Sequence, residues 1–364
     1  MPTRAEYEAA GLLTRVKTSV DDRVALLDWL GEQGFTTDEM IAAHAQAQLH
    51  SLASDRILLS GRSLTLDEAA ARSGVAIDVL RSILRAAGFH PDRATITETS
   101  LELFAEFANA RALFTDAEAL HFTRVMGSSL ARIAEAANSM FLVDVEAPLM
   151  TAAPSELELA KQSLIALASL ENVSNAIGAL FRLHMYDAVS RSRDARQHAE
   201  DPDLVSVAVG FVDLVGFTPL TVHSSARQLI DLVVAFESRA YDIVTEHGGR
   251  VVKLIGDEVM FTSLDSADAC AIVQAMFADL DATEVTPRAG IAFGEVLAHG
   301  GDYYGSVVNL ASRVADIAVP WEILITDAVA SRLPASFPVE PAGRRLLKGF
   351  IDPIALHSLT IASR

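Results

Sequence analysis

Cysteine is almost missing from this chain. Cys270 is the only one in 364 residues, which excludes an intrachain disulfide and any metal site built from thiolates. Positive charge is scarce too, with 29 Lys and Arg against 48 Asp and Glu and a formal net charge of −19. Non-specific affinity for a phosphate backbone comes from clustered Lys and Arg, so nucleic acid is not the expected partner. A compact nucleotide is still allowed, since it needs only a metal and a few placed cations. No apolar run reaches the ~18 residues of a membrane span; even Ser163–Phe181 is broken by Glu171 and Asn172. The opening MPTRAEYEAAG has no signal-peptide core. A cytoplasmic protein with no membrane span is therefore expected.

The composition that remains is globular, with 51% hydrophobic and 21% charged residues, and the length is too great for one ordinary core. Residues 1–190 read as helix after helix, an all-α domain. Val20–Gln33 carries Val24, Leu27 and Leu30 on one face and stops at Gly34. Thr36 with Glu39 forms a capping-box pattern ahead of a helix over Met40–Leu52. Leu64–Phe89 outlines a helix-turn-helix joined at Ser73-Gly74-Val75, but its second helix offers only Arg81 and Arg85 against Asp78. It is expected to pack rather than to read DNA. Between Thr95 and Leu142, residues such as Phe104, Phe107, Phe114, Phe122, Leu130 and Met140 crowd further helices. That load suits a core, and would also suit a pocket for a lipid-like or other small-molecule ligand. Ser155–Val189 reads as one long helix, preceded by Pro154 and capped at Ser155. Residues 191–203 are polar and aperiodic, a linker into a second domain over 204–364, and a helix feeding such a hinge is well placed to transmit a conformational change.

In the second domain Leu204–Val212 reads as a buried strand, Ala226–His247 as an amphipathic helix and Arg250–Ser263 as a hairpin. Helix follows at Ser266–Leu280, strand at Val285–Val296, helix at Val307–Ala318, and strands at Ile323–Thr326 and Ile354–Ile361. Such alternation gives an α+β sandwich with helices on a sheet face. Asp213 follows the apolar run Val207–Val212, and Asp257 sits in the Ile255-Gly256-Asp257 turn. A carboxylate beside a Gly-rich turn can sit at a sheet edge open to solvent, and two brought together repel unless a cation bridges them. Oxygen-only ligation by few protein groups suits Mg²⁺ or Mn²⁺ holding a polyphosphate. The backbone N–H groups of Val215–Thr218 would also suit phosphate. Asn309 and Arg313, four apart in a helical pattern, share a face.

The motifs fall in one order: Phe211-Val-Asp213-Leu-Val-Gly-Phe217-Thr218, Lys253-Leu-Ile-Gly-Asp257-Glu258, Asp302-Tyr-Tyr-Gly305 and Val308-Asn309-Leu-Ala-Ser-Arg313. Together they make the last ~160 residues resemble the catalytic domain of class III nucleotide cyclases. The resemblance implies a ferredoxin-like, polymerase-palm-like α+β catalytic domain behind an all-α regulatory domain, as in soluble actinobacterial (mycobacterial-type) adenylyl cyclases. It implies attack of the ribose 3′-oxygen of ATP on the α-phosphate, giving 3′,5′-cyclic AMP and pyrophosphate, with two Mg²⁺ or Mn²⁺ ions per site held by Asp213 and Asp257. Lys253 and Asp302 would bind the base, because adenine offers an N1 acceptor and an N6 donor. Guanine-selective relatives carry Glu and Cys or Ser there. The resemblance also implies that Asn309 orients the ribose, that Arg313 meets the α-phosphate, that Phe217 and Thr218 help bind substrate, and that Lys348 contacts the terminal phosphates. Metal residues of one domain would face the Asn309–Arg313 helix of another, so a homodimer through the catalytic domain is expected.

Two other readings compete. Ile255-Gly-Asp-Glu258 is similar to the signature hairpin of diguanylate cyclases, but that family lacks the Phe217-Thr218 and Asn309/Arg313 features. A DNA-binding regulator with a degenerate cyclase domain conflicts with the intact Asp, Lys, Asn and Arg set and with the acidic charge. For regulation, protonation of His184, His223, His247 or His299 near the domain boundaries would shift activity with pH.

Overall fold

A computed structural model of the chain describes residues 2–16, 19–59, 61–151, 154–168, 170–196, 204–215, 225–280 and 285–360. The chain divides into two compact units, Met1–Phe181 and Arg182–Arg364.

The first unit is helical: α1 (Arg4–Ala9), α2 (Val20–Glu32), α3 (Thr37–Ala45), α4 (Leu52–Leu58), α5 (Leu66–Ser73), α6 (Ile77–Ala86), α7 (Ser100–Ala110), α8 (Asp116–Met140), α9 (Ala147–Thr151) and α10 (Glu156–Ala168). The helix α11 (Leu170–Arg196) begins in it and runs past its end. A two-residue ladder joins β1 (Ser63–Leu64) to β2 (Ile96–Thr97). Reciprocal capping boxes start α1, α3, α5 and α8, at Thr3/Glu6, Thr36/Glu39, Thr65/Glu68 and Thr115/Glu118. Each leaves the glutamate carboxyl below its usual range, chiefly through the bond from the threonine backbone N–H.

The helix expected over Met40–Leu52 starts earlier and stops sooner, as α3, and α4 begins only at Leu52. Ala47 adopts a left-handed conformation, φ 58°, and the Gln48 N–H closes on the Ala43 carbonyl at 2.9 Å, which ends α3 in a helix-terminating turn. The stretch from Ser155 is helical as expected, described as α10 and α11 on either side of residue 169, and its Ser155 cap is present, with Oγ accepting from the Glu158 N–H at 3.1 Å. By length and composition alone Glu156–Ala195 would pass for a membrane span, a feature the interrupted apolar run did not suggest. The helix-turn-helix outline is a packing module. Its helix α6 buries Leu80, Ile83 and Leu84 with Phe104 and Phe107, and Arg81 is held by Asp92 at 2.7 Å. Several residues read as core, among them Leu113, Phe114, Phe122 and Met140, stand exposed on the single chain.

An ion cluster ties α2 to α10. The Arg23 side chain, 6% exposed, donates from NH2 to Glu156 Oε1 at 2.8 Å and from NH1 to the Leu12 carbonyl at 2.9 Å. His44 on α3 joins it, with Nδ1 3.3 Å from Arg23 NH1 and Nε2 3.1 Å from Thr14 Oγ1. Arginine can only donate, so His44 Nδ1 accepts and the proton belongs on Nε2.

The second unit is built on an eight-stranded sheet in the order β4-β5-β3-β6-β8-β10-β9, with β7 paired to β6. Its strands are β3 (Leu204–Val215), β4 (Arg250–Ile255), β5 (Glu258–Ser263), β6 (Thr286–His299), β7 (Asp302–Tyr304), β8 (Ile323–Thr326), β9 (Val339–Arg345) and β10 (Ile354–Leu359). The helices are α12 (Ala226–Glu246), α13 (Ser266–Leu280), α14 (Ser306–Ile317) and the short α15 (Asp327–Ala330). All neighbours are antiparallel except β6 and β8. Strand β3 alternates cleanly. Ala208, Val212 and Leu214 pack under α12 and α13, whereas Val207, Val209 and Phe211 pack under α14. Helix α14 sits close to the sheet because Gly290 has no side chain; a Cβ there would lie 2.2 Å from the Ala315 nitrogen. This is the expected α+β layer, a sheet with helices on its faces.

Candidate active site

Asp213 is not at a sheet edge. Strand β3 continues through it to Val215, and Asp213 is the odd-numbered neighbour of Phe211, so it emerges on the α14 face of a central strand. Register then sets its company: Glu258 of β5 lies opposite on one side and Arg288 of β6 opposite on the other. The Arg288 guanidinium donates from Nε to Asp213 Oδ2 at 2.8 Å and from NH2 to the same oxygen at 2.5 Å. Its NH1 donates to the Asp316 carbonyl, at the C-terminal end of α14, at 2.6 Å.

Asp257 lies beside Asp213, because the Leu214 N–H donates to the Asp257 carbonyl at 3.3 Å. Gly256, at φ 68°, supplies the left-handed residue the β4–β5 turn requires. Burial pushes the Asp257 carboxyl above its ordinary range, and the Asp213 charge adds to this. Glu258 is pushed up to about 7, first by burial and then by the charges of Asp213 and Asp316. Asp213, Asp257 and Glu258 thus crowd near Arg288, a repulsion that a hard divalent cation would relieve. Among the described residues no cluster of three or more His, Cys, Asp or Glu is arranged to hold a metal by itself. Asp213 and Asp257 fit an ion whose remaining ligands are phosphate oxygens and water.

Lys253 reaches the same face through a bulge. Val251 pairs with Phe261, and Lys253, not Val252, pairs with Met260. Without the extra residue Lys253 would follow Val251 toward α12 and α13; with it, Lys253 shares the α14 face with Met260. Its Nζ lies 2.6 Å from Asp302 Oδ2, the side chains being 40% and 27% exposed. Asp302 starts β7 after a tight turn through Gly300 and Gly301, both at positive φ, and its Oδ1 accepts the Tyr303 N–H at 2.8 Å. Arg250 holds that turn to β4 by donating to the Gly301 carbonyl at 2.9 Å.

Asn309 and Arg313 share α14, as their spacing requires; Asn309 is exposed, and Arg313 NH1 lies 2.7 Å from Asp316 Oδ2. Lys348 is exposed in the β9–β10 connection, outside these ion pairs. Of the Val215–Thr218 stretch read as a phosphate cradle, Val215 ends β3, while residue 216, Phe217 and Thr218 lie outside the described residues. Sequence reasoning missed Arg288. A lone cation in the apolar strand Thr286–His299 needs a partner when buried, and that was the available signal.

Residues 200–360 match the family described as adenylate and guanylate cyclase catalytic domain, and residues 5–188 match the adenylate cyclase regulatory domain. An adenylate cyclase of Streptomyces coelicolor is 32% identical over 76% of this chain and 73% of its own length. A pH-sensitive adenylate cyclase of Mycobacterium tuberculosis is 29% identical over 93% of this chain and 88% of its own. Among solved structures, the adenylyl cyclase CyaB from Pseudomonas aeruginosa is 26% identical, covering 44% of this chain and 96% of that one, with a TM-score of 0.40. The chain is a class III nucleotide cyclase. Within that class it belongs to the group in which an adenylate cyclase regulatory domain precedes the catalytic domain.

Proposed function

We propose that the chain converts ATP to 3′,5′-cyclic AMP and pyrophosphate at sites shared between two copies, under control of residues 1–190. The carrying observation is the Lys253–Asp302 pair, held on the sheet face that also presents Asp213. The named relatives, adenylate cyclases, support the same choice of nucleotide. Lys253 donates to adenine N1 and Asp302 accepts from the N6 amino group. Asp213 and Asp257 hold Mg²⁺ or Mn²⁺, two ions per site, which would lower the pKa of the 3′-hydroxyl and neutralise the triphosphate. Asn309 orients the ribose, and Arg313 offers a planar charged fork to the α-phosphate as charge develops there. Lys348 meets the terminal phosphates, and Phe217 and Thr218 line the substrate. Residues 191–203 serve as the linker and 204–364 as the catalytic domain, in the cytoplasm where ATP is available.

One chain holds the set once, and a head-to-tail dimer would complete two equivalent sites. Asp257→Ala and Arg313→Ala homodimers should each be inactive. Exchanging their subunits should restore cyclic AMP formation to about a quarter of wild type per chain, since about half the dimers are mixed and each has one whole site. No recovery after verified exchange would mean that each chain completes its own site.

Two observations in the helical unit support control by ligand and by pH. A cavity of about 890 Å³ lies between α4, α8, α10 and α11, lined by Leu58, Leu130, Phe141 and Ile177 with Asp55 and Asp144. It suits an apolar chain whose head group donates hydrogen bonds. At His44, burial, then the charges of Arg23 and Arg15, hold the imidazole below the ordinary range. His184 is exposed on α11, His247 caps α12, His299 ends β6, and His223 lies outside the described residues. Because the folded pKa of His44 is depressed, its stabilising contribution is complete above the ordinary value of 6.5 and is lost as pH falls through the lowered folded value. Thermal unfolding of the full chain tests both. The melting temperature should fall on acidification below about pH 6.5, less so in His44→Gln, and should rise with a long-chain primary alcohol. An unchanged pH slope in His44→Gln, or no rise with the alcohol, would discard the respective reading.

A further inference from the structure

The polar contacts around Arg288 run from one half-site of the chain to the other. Asp213 is bound through Oδ2 by two nitrogens of Arg288, the third nitrogen holds the Asp316 carbonyl, and the Asp316 carboxylate holds Arg313. The guanidinium touches both Asp213 and Asp316, and its planar fork spans β6, β3 and the end of α14 in a way no ammonium could. Both bonds from Arg288 to Asp213 go to one carboxylate oxygen, which fixes the orientation in which the other is presented. Hydrogen-bonded partners of this kind set the affinity of a ligating carboxylate. On the reading that two chains share each site, Asp213 and Arg313 of one chain serve different sites. The geometry points to Arg288 as a positioning residue that orients Asp213 toward the metal in one site and, through Asp316, sets Arg313 in the other, so that the two sites of a dimer are mechanically linked through each chain.

The role is separable from folding by placing Arg288→Met in complementing mixed dimers. The whole site of an Asp257→Ala/Arg313→Ala dimer takes Asp213 and Asp257 from the Arg313→Ala chain, and Asn309 and Arg313 from the Asp257→Ala chain. Arg288→Met on the Arg313→Ala chain should raise the Mn²⁺ concentration for half-maximal rate by about 10–100-fold. On the Asp257→Ala chain it should leave that requirement in place and lower the maximal rate by about 10–100-fold, the scale of a misplaced catalytic group. Electron paramagnetic resonance of Mn²⁺ with a non-cleavable ATP analogue provides a readout free of turnover. The Arg288→Met homodimer should bind the ion about 10–100-fold more weakly. Arg288→Lys, which keeps the charge but cannot bridge the three acceptors, serves if the methionine variant does not fold, with the same direction expected. Equal effects of the two placements, or Mn²⁺ binding within about twofold of wild type, would overturn the inference. If mixed dimers with native Arg288 recover no activity, it is the shared-site reading that fails, and the Mn²⁺ titration still decides whether Arg288 orients Asp213.

Discussion

Asp257→Ala is expected to turn over ATP at least ~10³-fold more slowly than the wild type, with a melting temperature no lower. The loss in rate has two sources, because a missing ligand removes both activation of the 3′-hydroxyl and neutralisation of the triphosphate. The retained stability follows from the site itself. Burial raises the Asp257 carboxyl above its ordinary range, so its charged form is disfavoured by folding, and the Asp213 charge beside it adds to the cost. Removing such a group relieves repulsion in a crowd that also contains Glu258, held up at about 7. Only the Asp257 main chain is tied to β3, and alanine keeps that bond to the Leu214 N–H. Measured kcat and a thermal melt decide the matter: an unaltered rate would remove Asp257 from the metal site.

The catalytic architecture was legible because its sequence signals are local. The Arg250–Ser263 hairpin and the strand Ile323–Thr326 appear with the bounds their apolar runs and turn glycine suggest. Asn309 and Arg313 share a helix because a spacing of four allows little else. What could not be read was register. Nothing local tells that β4 bulges at Val252 and so carries Lys253 to the face of Asp213, nor that Arg288 lies directly across from Asp213 on β6. The first depends on how the hairpin strands slide past each other, seven residues apart at Lys253 and Met260, and the second on a pairing between residues 75 apart. The same limit explains the helical unit. Of its four capping boxes only Thr36/Glu39 stood out, no glycine or proline marks the break at Ala47, and several side chains of core type are exposed on the single chain. The exposure of the apolar residues of α8 was hidden for one reason: periodicity reports that a face is apolar, not what covers it.

Exchanging the pair proposed to read the base gives the second large effect. In Lys253→Glu with Asp302→Cys, the ratio of kcat/KM for ATP over GTP should move toward GTP by at least ~10²-fold. Lys253 and Asp302 offer one donor and one acceptor, the complement of adenine N1 and N6, whereas guanine presents an acceptor at O6 and a donor at N1. A site that hydrogen-bonds its substrate rejects the wrong base because its own buried polar groups are left unpaired. The geometry also says why both positions must change. Lys253 Nζ and Asp302 Oδ2 stand 2.6 Å apart, so Lys253→Glu alone would set two carboxylates against each other and weaken binding of either base. Asp302 is further fixed by the Tyr303 N–H and by the Gly300-Gly301 turn, so its replacement should not disturb β7 beyond that one bond. Steady-state rates with both nucleotides, at saturating Mn²⁺, separate base choice from metal loss. An unmoved ATP:GTP ratio in the double variant would mean that Lys253 and Asp302 form a structural ion pair between β4 and β7 and that the base is read elsewhere.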